Sequence, residues 1–305
     1  MHNTLATRGL GGEGQDCQLP AISDQPSAIL QDKLKEVYAI LDTCEHVMVA
    51  FSGGVDSTVL AKLARDRLGK VHVFVVTADS PSLARADLQE ACQLARRLDF
   101  QHLVIETNEV SNPSYRENNP SRCYLCKAEL FKELQDLAKR QNIPVVLYGA
   151  IGEDLLSERP GQRAARECDV RAPLQEAGFA KWEVRQLARW LGLPNWDRPQ
   201  NACLSSRIPH GQEVTEEKLK QIEVAEAILH ASGFRQVRVR HRGTHAKIEV
   251  GRNEVARWQD VELYTKVMEQ FATLGFTTVG VDPAGYRAGG GDAIERDEIL
   301  LKKGE

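Results

Sequence analysis

Two cysteines three positions apart stand at the start of a predicted helix, in the segment NNPSRCYLCKAELF at residues 118–131. Cys123 and Cys126 do not fit a structural zinc site, which needs four ligands and commonly two such pairs, because the sequence has no second C-x-x-C. A redox pair remains open, since thioredoxin-like cysteines also precede a helix. A third alternative adds Cys203, because three thiolates can hold three irons of a [4Fe–4S] cluster and leave the fourth iron open.

The strongest local signal is SGGVDS at residues 52–57, between an apolar strand and a helical pattern. Gly53 and Gly54 let the backbone turn tightly and expose its N–H groups, and the start of the helix adds partial positive charge. With the hydroxyls of Ser52 and Ser57, this combination predicts a phosphate-binding loop, although no Gly-Lys-Ser/Thr of a Walker A motif follows. Asp56 fits an anion site only together with a cation, so it is the candidate ligand for Mg²⁺.

Apolar strands alternate with amphipathic helices over the first two thirds of the chain. The strands are predicted at residues 47–51, 71–76 and 143–150, and a further strand, HLVIE, lies between the second and the third. Apolar strands that alternate with helices indicate a parallel sheet covered on both faces. The sequence therefore predicts an α/β fold, a doubly wound parallel sheet, whose third helix we expect Ser82 to cap.

The alternation ends in a long connection at residues 194–211, which contains three prolines and a glycine. One helix and the strands QVRVR, AKIEV and FTTVGVD follow, with helical segments between the later strands. This order predicts a smaller α+β domain. We expect a flexible leader over residues 1–27, an ATP-binding domain over 28–209 and the smaller domain over 210–305.

The composition argues against several functional classes. The 305 residues carry a formal net charge of -4, which gives no overall attraction to nucleic acid. No apolar run approaches the roughly 18 residues of a membrane helix, and the first residues lack the pattern of a secretory signal. Seven cysteines, an odd number, then favour reduced thiols in a cytoplasm over a disulfide framework.

The segment SGGVDS resembles the phosphate loop of the pyrophosphate-loop family of ATP-using enzymes. That family includes NAD synthetase, GMP synthetase, argininosuccinate synthetase and tRNA thiolases, which cleave ATP between its α and β phosphates. Three further segments resemble the LarE-type ATP-dependent sulfur transferases of this family. They are YGAIGEDLLSERPGQRAARECDVRAPL, PQNACLSSRIPHGQEVTEEKLKQIEVAEAIL and VRVRHRGTHAKIEV, and the resemblance runs from about residue 30 to GYRAGG near the end.

This resemblance implies a fold like that of the adenine nucleotide alpha hydrolases. It also implies a reaction in which ATP adenylates a carboxylate of a pyridinium dicarboxylate mononucleotide and sulfur displaces AMP, on the route to the nickel-pincer nucleotide. Gly149 and the phosphate loop would bind ATP, and Glu153 and Asp154 stand at the position of the family's acidic pair. A hexamer and an external sulfide or persulfide donor are further implications of the resemblance, and so are substrate binding and oligomerisation as the roles of the smaller domain.

Cys203 stands at the position of the family's sulfur-donating cysteine. Members with one cysteine at the site sacrifice its sulfur and retain dehydroalanine. A second branch has three cysteines that hold a [4Fe–4S] cluster, on whose open iron the transferred sulfur is carried. Cys123, Cys126 and Cys203 favour that branch, in which Cys203 is a ligand and is not consumed, and sacrifice remains the alternative.

A basic segment, FRQVRVRHRGTHAK, is predicted to bind the phosphate of the substrate. Arg238 and Arg240 project from one face of a strand and can bind a phosphate together, and we assign Ser206 and Arg207 to the same phosphate. A solvated edge strand and an RNA contact are the alternatives. The histidines of the segment, His241 and His245, are interpreted as facing solvent or phosphate rather than a metal.

Three other functions use parts of the same pattern. A tRNA thiolase has the same loop and often a three-cysteine cluster, but it would need a wide positive surface. An amide-forming synthetase would leave the three cysteines without a role. A nucleotide-binding regulator would release no pyrophosphate with any candidate substrate.

Overall fold

The structure is a computed structural model that describes residues 27–151, 160–287 and 299–301. Residues 1–26 of the predicted leader, and the acidic pair Glu153 and Asp154, lie outside the described residues. Within the described ranges the strands form two sheets of four. No helix in this part of the chain combines the length and the apolar character needed to cross a membrane.

The first sheet is parallel throughout, and its strand order is β3-β2-β1-β4. Its strands are β1 (Val47–Ala50), β2 (Val73–Asp79), β3 (Gln101–Glu106) and β4 (Val145–Tyr148). The predicted parallel α/β sheet is therefore confirmed. The winding reverses its direction between β1 and β4, and ligands of such sheets bind in the crevice at the carboxyl ends of the strands beside this point.

Helices cover both faces of this sheet. Val47 and Val49 of β1 pack into the core on one face, and Met48 between them packs into the core on the other, as the two-residue period of a strand requires. The helices of this part are α1 (Ala28–Asp42), α2 (Val55–Leu68), α3 (Arg85–Arg97), α4 (Pro113–Arg116), α5 (Arg122–Arg140), α6 (Pro160–Glu167), α7 (Pro173–Glu176) and α8 (Lys181–Trp190).

The predicted cap of the third helix is wrong. Helix α3 begins at Arg85, and its N-cap residue is Ala84, whose side chain makes no capping hydrogen bond. The Ser82 hydroxyl donates instead to the carboxylate of Glu109, and the Ser82 carbonyl accepts from Leu204 N at 2.9 Å. These contacts hold Ser82 against distant segments, so it is not available to the helix.

The second sheet has the order β5-β6-β7-β8 and is mixed, because only β6 and β7 run parallel. The predicted smaller α+β unit is confirmed, whereas the domain boundaries stay a prediction. The elements are α9 (Glu216–Ala231), β5 (Val237–Arg242), β6 (His245–Val250), α10 (Val261–Thr273), β7 (Thr278–Val281) and β8 (Ile299–Leu301).

His241 differs from its prediction, since it faces the interior of this second unit. It is 3% exposed, and its Nε2 lies 2.8 Å from the Gln221 Oε1.

A separate small core joins the two units. It contains Val110, Tyr115, Leu204, Ile208, Val214, Leu219 and Ile222. This core fixes the segment after Cys203 between the two sheets.

Candidate active site

A pocket of about 560 Å³ opens at the carboxyl ends of β1 and β4, where the strand order predicts a ligand. Ser52, Gly54 and Asp56 line one end of it, and Cys126 and Cys203 line it as well. The structure thus brings the predicted phosphate loop and two of the three predicted cysteines to one cavity.

The phosphate loop has the geometry that its glycines predict. Gly53 has a φ of +70°, in the region that favours glycine, and α2 begins at Val55 directly after it and Gly54. The hydroxyls of Ser52 and Ser57 share a hydrogen bond of 3.2 Å, and Ser57 Oγ donates to the Gly54 carbonyl at 3.1 Å. These bonds hold the loop in a turn at the N-terminus of a helix, the arrangement that binds phosphate.

Gly149 contacts the loop from the end of β4. A methyl group added at Gly149 would lie 2.7 Å from the Ser57 nitrogen and 2.9 Å from the Ser57 Cα, both of them backbone atoms. Because only a hydrogen atom fits there, Gly149 allows β4 and the start of α2 to approach each other. Its predicted part in ATP binding therefore has a steric basis.

Two lysines that were missed in the sequence line the pocket. Lys181 Nζ lies 2.6 and 2.7 Å from the two carboxylate oxygens of Asp56. Lys127 Nζ lies 5.5 and 5.7 Å from the ring centroids of Phe131 and Tyr148. Neither lysine belongs to a recognisable motif, although Lys127 directly follows Cys126. Both bring positive charge to a pocket that is predicted to hold a triphosphate.

The three cysteines lie on two elements. Cys123 and Cys126 are in the first turn of α5, and Cys203 directly precedes a short 3-10 helix, Leu204–Arg207. Cys123 and Cys203 are exposed, and Cys126 is partly buried. In the described part of the chain, no three His, Cys, Asp or Glu side chains are arranged around one point as metal ligands.

The pKa of the Cys126 thiol lies above its ordinary range. Burial is the main cause, and the nearby charges of Glu109, Cys203 and Cys123 act in the same direction. Glu109, which was also missed in the sequence, is 2% exposed and lines the pocket. Burial therefore favours the protonated form of the Cys126 thiol in the free protein.

Arg207 is buried and fully engaged inside the protein. Its Nε and Nη2 donate to the two carboxylate oxygens of Glu226 at 2.9 and 3.0 Å, and its Nη1 donates to the Cys203 carbonyl at 2.8 Å. Glu226 also accepts from Val239 N at 2.9 Å. This network attaches the Cys203 segment to α9 and β5, so the structure gives Arg207 a structural role beside its predicted contact with phosphate.

Arg240 and Arg238 lie next to this network. Arg240 donates to Glu249 at 2.9 Å and to the Ser206 carbonyl at 2.9 Å, and its buried Nε has no hydrogen-bond partner among the described residues. Arg238 stacks on the Tyr286 ring at 5.2 Å and has no ion-pair partner in the described ranges. Burial, and then the charge of Arg207, lower the pKa of Arg238.

Within the described residues, two of these three guanidinium groups form ion pairs with carboxylates. Arg207 pairs with Glu226 and Arg240 with Glu249, while Arg238 has no such pair there and donates to the Val237 carbonyl at 2.7 Å. A phosphate that contacted Arg238 would give this guanidinium a counter-charge. The predicted cluster of Ser206, Arg207, Arg238 and Arg240 is thus brought together, although two of its arginines already have partners.

The fold and this pocket define a class. A parallel sheet with SGGVDS between β1 and α2, and with a pocket at the strand reversal, is the architecture of the pyrophosphate-loop ATP-using enzymes. Consistent with this class, a sequence profile of the NAD synthase family matches residues 27–148.

Individual relatives narrow the class. An uncharacterized protein of Synechocystis sp. is 41% identical over 262 residues, 86% of this chain and 97% of the relative. The pyridinium-3,5-bisthiocarboxylic acid mononucleotide synthase of Lactiplantibacillus plantarum is 36% identical over 263 residues, 86% of this chain and 94% of the relative. A tRNA-specific 2-thiouridylase of Beijerinckia indica is 29% identical over 240 residues, 65% of this chain and 54% of the relative. The chain belongs to the family of the Lactiplantibacillus synthase, the LarE-type ATP-dependent sulfur transferases.

Proposed function

We propose that this protein transfers sulfur to the carboxylates of a pyridinium dicarboxylate mononucleotide, in the biosynthesis of the nickel-pincer nucleotide. The observation that carries the proposal is that one pocket contains both the phosphate loop and the thiols of Cys126 and Cys203. ATP activation and sulfur attack can then occur on one bound substrate. The relationship to the Lactiplantibacillus synthase supports this choice of substrate.

The first step is activation of a carboxylate. The loop residues Ser52, Gly53, Gly54 and Ser57 bind the β and γ phosphates of ATP, and Gly149 keeps the loop in position. A substrate carboxylate oxygen attacks the α phosphorus, the bond to the β-phosphate oxygen breaks, and pyrophosphate leaves. Lys127 and Lys181 line the path and stabilise the negative charge that develops on the phosphates.

The second step replaces AMP with sulfur. A sulfur nucleophile attacks the carbonyl carbon of the acyl adenylate, and the bond to AMP breaks. If Cys203 itself is the nucleophile, a thioester forms. Loss of the Cys203 Cα proton and cleavage of its Cβ–S bond then give the thiocarboxylate and leave dehydroalanine. If the sulfur comes from a donor, Cys203 survives the reaction.

The phosphate of the mononucleotide binds at the three arginines. Arg238 is the main contact, because its charge is not compensated by a carboxylate in the described part of the chain, and Arg240 Nε offers a free donor. Ser206 lies beside them, since its carbonyl accepts from Arg240. Arg207 acts mostly by holding Cys203 near this phosphate.

We further propose that Cys123, Cys126 and Cys203 hold a [4Fe–4S] cluster. The donor set fits in its chemistry, because thiolates are the usual ligands of such clusters, Cys126 and Cys203 line one pocket, and Cys123 lies with Cys126 at the start of α5. Assembly would draw the exposed Cys123 and Cys203 towards Cys126 and would release the Cys126 proton. When bound, the cluster would supply the transferred sulfur in place of Cys203.

A magnesium ion fits beside Asp56, whose carboxylate lines the pocket at the start of α2. Lys181 holds this carboxylate in the free protein, so magnesium and the ammonium group compete for it. When bound, magnesium would neutralise charge on the pyrophosphate. Lys181 would then be released towards the phosphates.

The proposed function is tested anaerobically with ATP, magnesium and the mononucleotide. We expect release of AMP and pyrophosphate and formation of a thiocarboxylate, detected by mass spectrometry of the products. Cys203→Ala should abolish the thiocarboxylate and keep AMP release, whereas Cys92→Ala, a matched control outside the pocket, should keep both. Wild-type protein that releases no pyrophosphate with this substrate would contradict the proposal.

The source of the sulfur is tested on the same samples. Mass spectrometry of the chain after turnover should show a loss of about 34 Da, one H₂S, if Cys203 is sacrificed. With a cluster, the mass should be unchanged, and the anaerobic protein should contain about four irons and absorb near 400 nm. Cys123→Ala should then lower the iron content, a result that sacrifice does not predict.

A tRNA thiolase is the second candidate, favoured by the relationship to the Beijerinckia thiouridylase. Such an enzyme would need a continuous basic surface, whereas Arg207 and Arg240 are buried and paired with carboxylates. Tight binding of tRNA with a steep salt dependence would favour the thiolase. We expect weak binding that does not discriminate tRNA from other polyanions.

We also propose a cytoplasmic homohexamer. The family resemblance supports the hexamer, and the six cysteines within the described residues are free thiols, as in a reducing compartment. Light scattering coupled to size-exclusion chromatography measures the assembly directly, and a monomeric mass at micromolar concentration would contradict it.

A further inference from the structure

The carbonyl of Gly53 accepts hydrogen bonds from two side chains of one segment, and one of them, Arg198, also lines the pocket. Asn195 Nδ2 donates to it at 3.0 Å, and Arg198 Nη1 donates to it at 2.9 Å. Both residues follow α8 in the chain and are far from the loop in sequence. Neither belongs to a motif that the sequence analysis identified.

These two donors are themselves fixed. Arg198 Nη2 lies 2.8 Å from Asp87 Oδ1 and 2.7 Å from Glu90 Oε2, both on α3, and its side chain is only 14% exposed. Asn195 is 7% exposed and also donates to the Thr58 hydroxyl at 3.0 Å. The position of the Gly53 carbonyl is therefore set by α3 and α2 together.

The position of the Gly53 carbonyl determines the direction of the Gly54 N–H. The Gly53 carbonyl and the Gly54 N–H belong to one peptide unit, so fixing the carbonyl fixes the direction of the N–H. A peptide between two glycines rotates more freely than others because neither residue has a Cβ. Two donors on its carbonyl also polarise the peptide, which strengthens the N–H as a donor.

Gly54 lines the pocket in which phosphate is expected. Its N–H makes a long hydrogen bond of 3.3 Å to the Ser52 hydroxyl. An anion that accepts from Gly54 N–H would replace this weak contact.

We propose that Arg198, together with Asn195, is a positioning residue that holds the Gly53–Gly54 peptide with its N–H directed at the pyrophosphate portion of ATP. This inference rests on the proposed binding of ATP at the loop. Arg198 acts through the peptide, since its two terminal nitrogens are occupied by Gly53, Asp87 and Glu90.

The same segment continues towards the sulfur site. Asn201 Nδ2 lies 2.6 Å from Asp87 Oδ2, the carboxylate that also holds Arg198. Asn201 is two residues before Cys203. Asp87 therefore holds the segment at two points, one that reaches the phosphate loop and one that precedes Cys203.

The experiment measures the binding of α,β-methylene-ATP with magnesium by calorimetry, without the mononucleotide. Arg198→Ala should weaken binding by about 10- to 100-fold, the range expected for a hydrogen bond from a charged group. Guanidinium chloride at millimolar concentration should restore part of the affinity, because it can occupy the space left by the side chain. The affinity of Arg198→Lys should lie between those of the wild type and of Arg198→Ala, because lysine keeps the charge but lacks the two-pronged guanidinium. The lysine variant replaces the alanine variant if the latter does not fold.

Arg185→Ala is the matched control. Arg185 holds the same segment through the Arg198 carbonyl at 2.8 Å and does not contact the phosphate loop. We expect its affinity to stay within about threefold of the wild type. In steady-state assays of the Arg198 variants, the KM for ATP should rise and the KM for the mononucleotide should not, a split that general destabilisation does not produce.

Two outcomes would overturn the inference. One is an Arg198→Ala protein that binds the analogue within twofold of the wild type. The other is an Arg185→Ala protein weakened as much as Arg198→Ala, which would assign the effect to the segment as a whole. If the wild type itself does not bind the analogue, the proposed ATP-dependent function fails, which is a different result from either of these.

Discussion

The two ends of the pocket are built in different ways. The phosphate end consists of consecutive residues, 52–57, and presents mainly backbone N–H groups at the start of a helix. The sulfur end is lined by side chains of α5 and of the segment after α8, and buried ion pairs outside the pocket attach the Cys203 segment to α9 and β5. The phosphate end therefore depends on space around the backbone, whereas the sulfur end depends on balanced charges.

The largest effect is expected at the sulfur end. Arg207→Ala leaves Glu226 buried without its partner, and removal of one member of a buried pair destabilises a protein by about 3–5 kcal/mol. Urea unfolding monitored by circular dichroism measures the free energy of unfolding. The control is Arg65→Ala, which removes an exposed pair with Asp99 and should have an effect below about 1 kcal/mol. Equal effects of the two variants would remove the distinction between the ends.

The second-largest effect is expected at the phosphate end, where a steric change should slow pyrophosphate release. Gly149→Ala places a methyl group 2.7 Å from the Ser57 nitrogen and must displace the loop. A displacement of about 1 Å at a reacting site can cost about 100-fold in rate, so we expect that loss in pyrophosphate release. The measurement is a coupled pyrophosphate assay at saturating substrate.

Gly192→Ala is the control for this variant. An added Cβ at Gly192 meets no atom within 4 Å, but its φ of +65° strains an alanine. We expect a loss of stability of about 1 kcal/mol and normal pyrophosphate release. Near-normal release by Gly149→Ala would show that the loop tolerates displacement.

A smaller effect is expected for Arg238, which forms no ion pair with a carboxylate among the described residues. Arg238→Ala should raise the KM for the mononucleotide about tenfold and leave the KM for ATP unchanged, because it removes a charged donor from the phosphate of the substrate. Arg235→Ala removes an exposed arginine just before the same strand and should change neither constant. A rise in the KM for ATP with Arg238→Ala would place this residue at the other end of the pocket.

The smallest effect concerns the protonation of Cys126. Since burial raises the pKa of its thiol, iodoacetamide should label Cys126 more slowly than Cys123 and Cys203 at pH 8, and its rate should still rise with pH after an ordinary thiol has levelled off. The stability due to this shift is complete below the pKa of an unfolded cysteine and is lost as the pH rises through the folded value. Peptide mapping by mass spectrometry gives the three rates, and equal rates would contradict the shift.

Features that depend on neighbours in sequence were predictable. The parallel strands, the phosphate loop and the smaller α+β unit follow from apolar periods and from glycines at fixed positions. Predictions failed where a side chain contacts a residue that is distant in sequence instead of the local partner or solvent expected for it. Ser82 was expected to cap a helix but bonds to Glu109, and His241 was expected at a surface but packs beside Gln221.

The missed site residues have the same explanation. Lys181, Asn195 and Arg198 act on the phosphate loop across more than a hundred residues of chain, and Glu109 reaches Cys126 from a different segment. No spacing rule connects such pairs, because the fold determines which segments meet.

The sequence by itself determined the class of chemistry, because paired glycines between a strand and a helix favour the binding of phosphate, and it identified the cysteines and arginines as candidates. Only the tertiary structure decided how these residues are used. It placed Cys126 and Cys203 in the pocket of the phosphate loop, used Arg207 and Arg240 in buried ion pairs, and left Arg238 without an ion pair among the described residues. The physical reason is that backbone geometry is set by nearby residues, whereas charge balance and burial depend on contacts between remote ones.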